Sequence, residues 1–170
     1  MDNTPNYFLI GPMGSGKSTV GKRLAASLGY EFIDSDKEIE ASTGVTIPHI
    51  FEVEGEKGFR IREHNMISEL CKRKKIVLAT GGGSILDPEN RQNLKQHGFV
   101  IYLQASTDQI LKRTRRDDSR PLLNTENPAA RLNQIMATRI PLYQSIADLT
   151  LDTDSHTVQE VAQMALRSIK

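Results

Sequence analysis

Gly11-Pro12-Met13-Gly14-Ser15-Gly16-Lys17-Ser18-Thr19 satisfies G-x-x-x-x-G-K-[ST], and it joins a short apolar run, Tyr7–Ile10, to a segment with helical spacing of Val20, Leu24 and Leu28. A glycine-rich loop in that position turns its backbone N–H groups inward. The helix that follows aims the positive end of its dipole at the same point, which makes an anion site suited to the phosphates of a nucleotide. Gly14, Ser15, Gly16 and Thr19 belong to this cradle. Lys17 is expected as an exposed charge for the β- and γ-phosphates, and the Ser18 hydroxyl is placed to coordinate Mg²⁺. The bland alternative is a chance glycine-rich turn, but the strand before it and the helix after it are the context that a phosphate-binding loop requires.

Four further runs rich in β-branched and aromatic residues read as strands: Glu31–Ile33, Ile76–Ala79, Val100–Leu103 and Leu149–Leu151. Between them lie helical spacings, among them Ile61, Ile67 and Leu70, then Ile110 and Leu111, and a last one from Val158 to Ile169. Strands that are nearly all apolar and alternate with helices predict an α/β fold, a five-stranded parallel sheet with helices on both faces. The 170 residues, 38% hydrophobic, suffice for one such domain and are too few for two ordinary ones. Neither period fits Arg115–Asn127, a polar stretch interrupted by Pro121, and a loop of that length in a compact domain is more often functional than accidental.

Composition removes several classes of function. With 22 Lys plus Arg against 21 Asp plus Glu, the net charge of +1 gives no general attraction to nucleic acid or to an acidic membrane. No stretch approaches the roughly 20 apolar residues that span a bilayer, and the N-terminus does not read as a signal peptide. Cys71 is the only cysteine, so no internal disulfide forms, which fits a reducing, cytoplasmic setting. Cys71 lies beside Lys72 to Lys75, whose charges could lower its pKa, yet a lone helical cysteine is usually inert. His49, His64, His97 and His156 have no metal-ligand spacing, and Met13 and Met136 read as packing residues.

Phosphate binding alone leaves switches, motors and kinases open. A Ras-type switch would carry D-x-x-G and N-K-x-D or T-K-x-D, and neither is found. A remodelling ATPase would end a strand in Asp-Glu, whereas the third strand here runs into Thr80-Gly81-Gly82-Gly83. Asp34 and Asp36 stand at the end of the second strand, where ligands gather in open parallel sheets; one carboxylate can serve a metal and the other a substrate, or both can simply cap the next helix. Arg60 and Arg139, each taken alone, read as surface residues. Gly81–Gly83 taken alone reads as a flexible turn.

The ordered set of Gly11–Thr19, Asp34-Ser35-Asp36, Gly58-Phe59-Arg60, Thr80–Gly83, Arg120-Pro121-Leu122-Leu123 and Arg139 resembles the shikimate kinases along essentially the whole chain. That resemblance implies a three-layer α/β/α, P-loop NTPase fold of the nucleoside monophosphate kinase type, with a mobile lid at about 115–127. It also implies transfer of the γ-phosphate of ATP to the 3-hydroxyl of shikimate, with Mg²⁺, by a monomer. In the roles it implies, Asp34 joins Ser18 in holding Mg²⁺, and Asp36 binds the acceptor's hydroxyls and is the candidate base. Arg60 and Arg139 bind its carboxylate as bidentate forks, a geometry that Arg offers and Lys does not. The backbone of Gly81 and Gly82 meets the acceptor, Arg113 packs on adenine, and Arg120 reaches the phosphates from the lid. Arg115, Arg116, Asp117 and Asp118 read as solvated loop charges. Adenylate kinases would show D-G-[FY]-P-R, which is missing, and gluconate kinases lack the R-P-L-L stretch and the paired arginines. A binding module that had lost catalysis would be expected to lack Lys17, Asp36 or Arg120, and all three are present.

Overall fold

The computed structural model describes residues 3–114 and 125–170. Five strands form one sheet: β1 (Asn6–Ile10), β2 (Glu31–Asp34), β3 (Ile76–Ala79), β4 (Gly98–Gln104) and β5 (Leu149–Asp152). Their spatial order is β2-β3-β1-β4-β5, and every neighbouring pair is parallel. The five strands read from the sequence are these five, lengthened by a residue or more at four of them. The helices are α1 (Lys17–Leu28), α2 (Ser35–Thr43), α3 (Ile47–Leu70), α4 (Pro88–His97), α5 (Thr107–Thr114), α6 (Pro128–Ile146) and α7 (Val158–Ile169).

Side chains of alternate strand residues point to opposite faces, so a strand apolar at every position needs cover on both. In β1, Phe8 and Ile10 pack with Ile67 and Leu70 of α3, Leu94 of α4 and Tyr143 of α6. Tyr7 and Leu9 pack with Val20 and Leu24 of α1 and with Val161 and Ala165 of α7. Phe8, Leu9 and Ile10 are fully buried, and each such side chain contributes about 1.5–3 kcal/mol of transfer free energy. These two cores make the helix–sheet–helix layering.

The strand order sends the chain from β1 toward β2 on one side, and from β3 across to β4 on the other. The carboxyl ends of the adjacent strands β1 and β3 therefore open a crevice, the usual ligand position in such sheets. Thr80, just past β3, closes its floor by donating N–H and hydroxyl to Leu9 O at 3.1 and 2.9 Å.

One expectation about the helices needs correction. Ile61 is 57% exposed, so it belongs to no core stripe; the residue of that turn that faces inward is Glu63, 1% exposed. The helix read through Ile61, Ile67 and Leu70 is the later half of α3, which is broken at Gly55 (φ 73°, ψ 179°), a backbone conformation that glycine adopts without a Cβ penalty. No helix among the described residues is long and apolar enough to cross a membrane.

Candidate active site

The phosphate loop follows β1 directly. Gly14 (φ 73°) and Gly16 (φ 92°) take left-handed backbone, and Gly16 caps α1 with no side chain in the way. The first turn of α1 thus opens toward the loop. Ser15 is buried and its hydroxyl finds no partner among the described residues. Met13, predicted as a packing residue, anchors the loop in a small cluster with Ile110, Leu132 and Met136. Lys17 is not the exposed charge expected: it is 9% exposed, and its ammonium donates to Gly11 O at 2.7 Å and Pro12 O at 2.8 Å. Those carbonyls hold the charge over the loop. Thr19 and Lys17 both border a cavity of about 470 Å³, a size usual for small-ligand sites.

Asp34 does two jobs with two oxygens. Oδ1 accepts from the N–H groups of Asp36 and Lys37 and caps α2, and Oδ2 accepts from the Ser18 hydroxyl at 2.7 Å. Capping and site-building, alternatives in the sequence, coexist. A hydroxyl beside a carboxylate is a hard oxygen set suited to Mg²⁺, which keeps waters and takes phosphate oxygens instead of an all-protein cage. Among the described residues no group of three or more His, Cys, Asp or Glu could hold a metal ion by itself.

Across the crevice stands the glycine turn after β3. A Cβ at Gly81 would lie 2.8 Å from both Asp36 Oδ1 and Glu63 Oε2, so a larger residue there would push these carboxylates off the turn. A Cβ at Gly82 would come within 3.5 Å of Arg139 Nη1, and one at Gly83 would collide with the Arg60 guanidinium. The two arginines, 79 positions apart in the numbering (139 − 60), thus reach the same glycine turn.

Charge around the turn is unevenly matched. Burial disfavours the charge of Arg60, but Glu63 at 2.8 Å and Glu56 at 3.3 Å outweigh it, so its pKa stands above the ordinary arginine value. Arg139, 4% exposed, goes the other way: burial first, then repulsion from Arg60, lower its pKa despite Tyr143. The Tyr143 hydroxyl donates to Gly82 O at 2.5 Å, and its ring stacks on Tyr102 with centroids 5.0 Å apart. Glu63 is raised to about 7, by burial above all and also by Asp36, with Arg60 and Arg139 acting against the rise. Two cations, one of them strained by burial, beside backbone N–H groups are a fit for a carboxylate.

Glu63 and Tyr143 are the residues that the sequence did not single out. Their signal was helical spacing alone: Glu63 is three residues beyond Arg60, and Tyr143 four beyond Arg139, where side chains of one helix face meet.

Arg113 extends from α5 to Gly14 O at 3.0 Å and to the hydroxyl and carbonyl of Thr153 at 3.2 and 3.1 Å, tying the phosphate loop to the end of β5. Arg120 and most of the expected lid, residues 115–124, lie outside the described residues. Cys71 is buried and its thiol is pushed up to about 12, so the neighbouring lysines do not activate it. His64 pairs with Asp87 at 2.8 Å, away from the cavity lining.

Comparison with known proteins gives the family. The family model described as shikimate kinase matches residues 13–170. A shikimate kinase of Thioalkalivibrio sulfidiphilus is 57% identical over 163 residues, covering 96% of this chain and 86% of the relative. One of Methylococcus capsulatus is 53% identical over 168 residues, 99% of this chain and 94% of the relative. The solved structure of an Acinetobacter baumannii shikimate kinase in complex with shikimate superposes with a TM-score of 0.96 at 50% identity, covering 99% of this chain and 94% of that one. A P-loop at the end of β1, a carboxylate pair after β2 and two arginines on the glycine turn after β3 thus occur in a chain that belongs to the shikimate kinase family.

Proposed function

We propose that the chain transfers the γ-phosphate of ATP to the 3-hydroxyl of shikimate, giving shikimate 3-phosphate and ADP. The observation that carries this reading is the convergence of Arg60 and Arg139 on the glycine turn that borders the same cavity as the phosphate loop and Asp36. A nucleotide-binding loop alone would not require two guanidinium groups there. An acceptor bearing both a carboxylate and hydroxyls supplies partners for the arginines and for Asp36 together.

In this reading the phosphate loop and Lys17 hold the β- and γ-phosphates, and Lys17 exchanges its carbonyl partners for phosphate oxygens. Ser18 and Asp34 would hold Mg²⁺, which supplies charge neutralisation at the phosphates when bound. Arg60 and Arg139 clamp the acceptor's carboxylate, the N–H of Gly82 faces the acceptor beside Gly81, whose own N–H is held by Ser35 Oγ at 3.1 Å, and Asp36 accepts a hydrogen bond from its 3-hydroxyl. Asp36 then orients the oxygen in line with the γ-phosphorus and takes its proton as the bond forms. Phosphoryl transfer asks mainly for such positioning and for charge stabilisation. Arg113 flanks adenine, and Arg120 completes the phosphate contacts from a lid at about 115–127; these two roles rest on the family resemblance.

The test is an ADP-release assay with shikimate, gluconate and AMP offered side by side. Turnover with shikimate and background rates with the other two support the reading. Turnover with gluconate or AMP but not shikimate contradicts it.

A further inference from the structure

The short first half of α3 begins at the mouth of the cavity, where Ile47 and Pro48 form an apolar wall facing the α2 floor that carries Asp36. Local capping already serves this helix start. Thr46 accepts from His49 N at 3.3 Å, Ile50 N donates to Thr46 O at 3.1 Å, and Pro48 has no N–H to satisfy. One N–H is left, that of Ile47, and it is met from another helix: Glu40 Oε2 accepts it at 3.0 Å. The other oxygen of Glu40 takes the Lys37 ammonium at 3.3 Å, and Lys37 and Glu40 also border the cavity. Between the two helices the chain turns at Gly44 (φ 75°), whose N–H donates to Glu40 O at 2.9 Å. Ile39 of α2 packs with Ile50 and Phe59 of α3, and Ile47 lies against that cluster; to this apolar contact the Glu40 carboxylate adds a directional bridge at the N–H of Ile47.

We propose that Glu40 is a positioning residue for the acceptor: by holding Ile47 N it sets the Ile47–Pro48 wall against the floor that carries Asp36, and so sets the affinity for shikimate. This rests on the reading of the cavity as the shikimate pocket. The phosphate loop and Lys17 belong to other elements, so nucleotide affinity does not depend on this contact.

Steady-state kinetics of Glu40→Ala, Glu40→Asp and Glu40→Gln test it, with Arg139→Lys alongside. Glu40→Ala removes the acceptor, and Glu40→Asp keeps the charge but withdraws it from Ile47 N. Both should raise the KM for shikimate about tenfold, the loss of one hydrogen bond to a charged group, while kcat and the KM for ATP stay close to wild type. Glu40→Gln keeps an oxygen in place and should restore most of the affinity. An unchanged KM for shikimate in Glu40→Asp, or a Gln variant as impaired as the Asp one, overturns the proposal. If Arg139→Lys raises that KM and the Glu40 variants do not, only the role of Glu40 falls. If Arg139→Lys leaves it unchanged too, the pocket reading falls with it.

Discussion

Three residues after Arg60, Glu63 is 1% exposed, with one carboxylate oxygen 2.8 Å from the guanidinium and the other against Gly81. Burial raises its pKa from 4.5 to about 7, and Asp36 adds to the rise against the pull of Arg60 and Arg139. Between pH 4.5 and about 7 the folded chain therefore binds the proton that the unfolded chain has released. Stability from this group is fully present below 4.5, falls as pH rises and is lost above about 7. Glu63→Gln should flatten the pH dependence of Tm across that window; a variant whose Tm falls as steeply as wild type would assign the dependence to other groups. In the sequence Glu63 was one of 21 acidic residues, and the reading of a core stripe through Ile61 pointed to the wrong side of that turn. Its i,i+3 spacing from Arg60 is a local mark of the pairing, but its burial depends on Gly81 and Asp36, which are distant in the chain, and no local pattern shows that.

At the level of elements, α3 is where pattern and structure part. The spacing of Ile61, Ile67 and Leu70 marks only its later half, and Gly55 turns the backbone to φ 73° and ψ 179° and gives the two halves separate directions. The first half carries the Ile47–Pro48 wall, the second Arg60 and Glu63. Glu54 and Arg62 bridge the break through a contact at 2.6 Å, yet both are well exposed and such pairs contribute little. The glycine backbone itself sets the bend. Nothing lies within 4 Å of a Cβ at Gly55, so Gly55→Ala meets no clash and its cost is conformational. We expect about 1–3 kcal/mol of destabilisation, measured as a shift in the urea midpoint at constant m-value. An unchanged midpoint would show that the two halves can rejoin as one continuous helix. By contrast, α1 and α7 were readable because their apolar spacing coincides with real burial at Val20, Leu24, Val161 and Ala165.

For the molecule as a whole, strand identity was local and strand order was not. Each apolar run announced itself, but the placement of β3 between β1 and β2, which opens the crevice, depends on pairing across tens of residues. The phosphate loop could be read alone because one contiguous segment builds it. The acceptor side could not, because Asp36, Arg60, Gly82 and Arg139 come from four separate stretches that only the folded sheet assembles, and family resemblance stood in for that assembly. The central claim is that these four hold shikimate so that its 3-hydroxyl, and no other, faces the γ-phosphate. Phosphorus and proton NMR of the product formed from ATP, Mg²⁺ and shikimate measures this directly. The account predicts a single phosphate ester coupled to the proton on carbon 3; an ester at another hydroxyl, or inorganic phosphate alone, would contradict it.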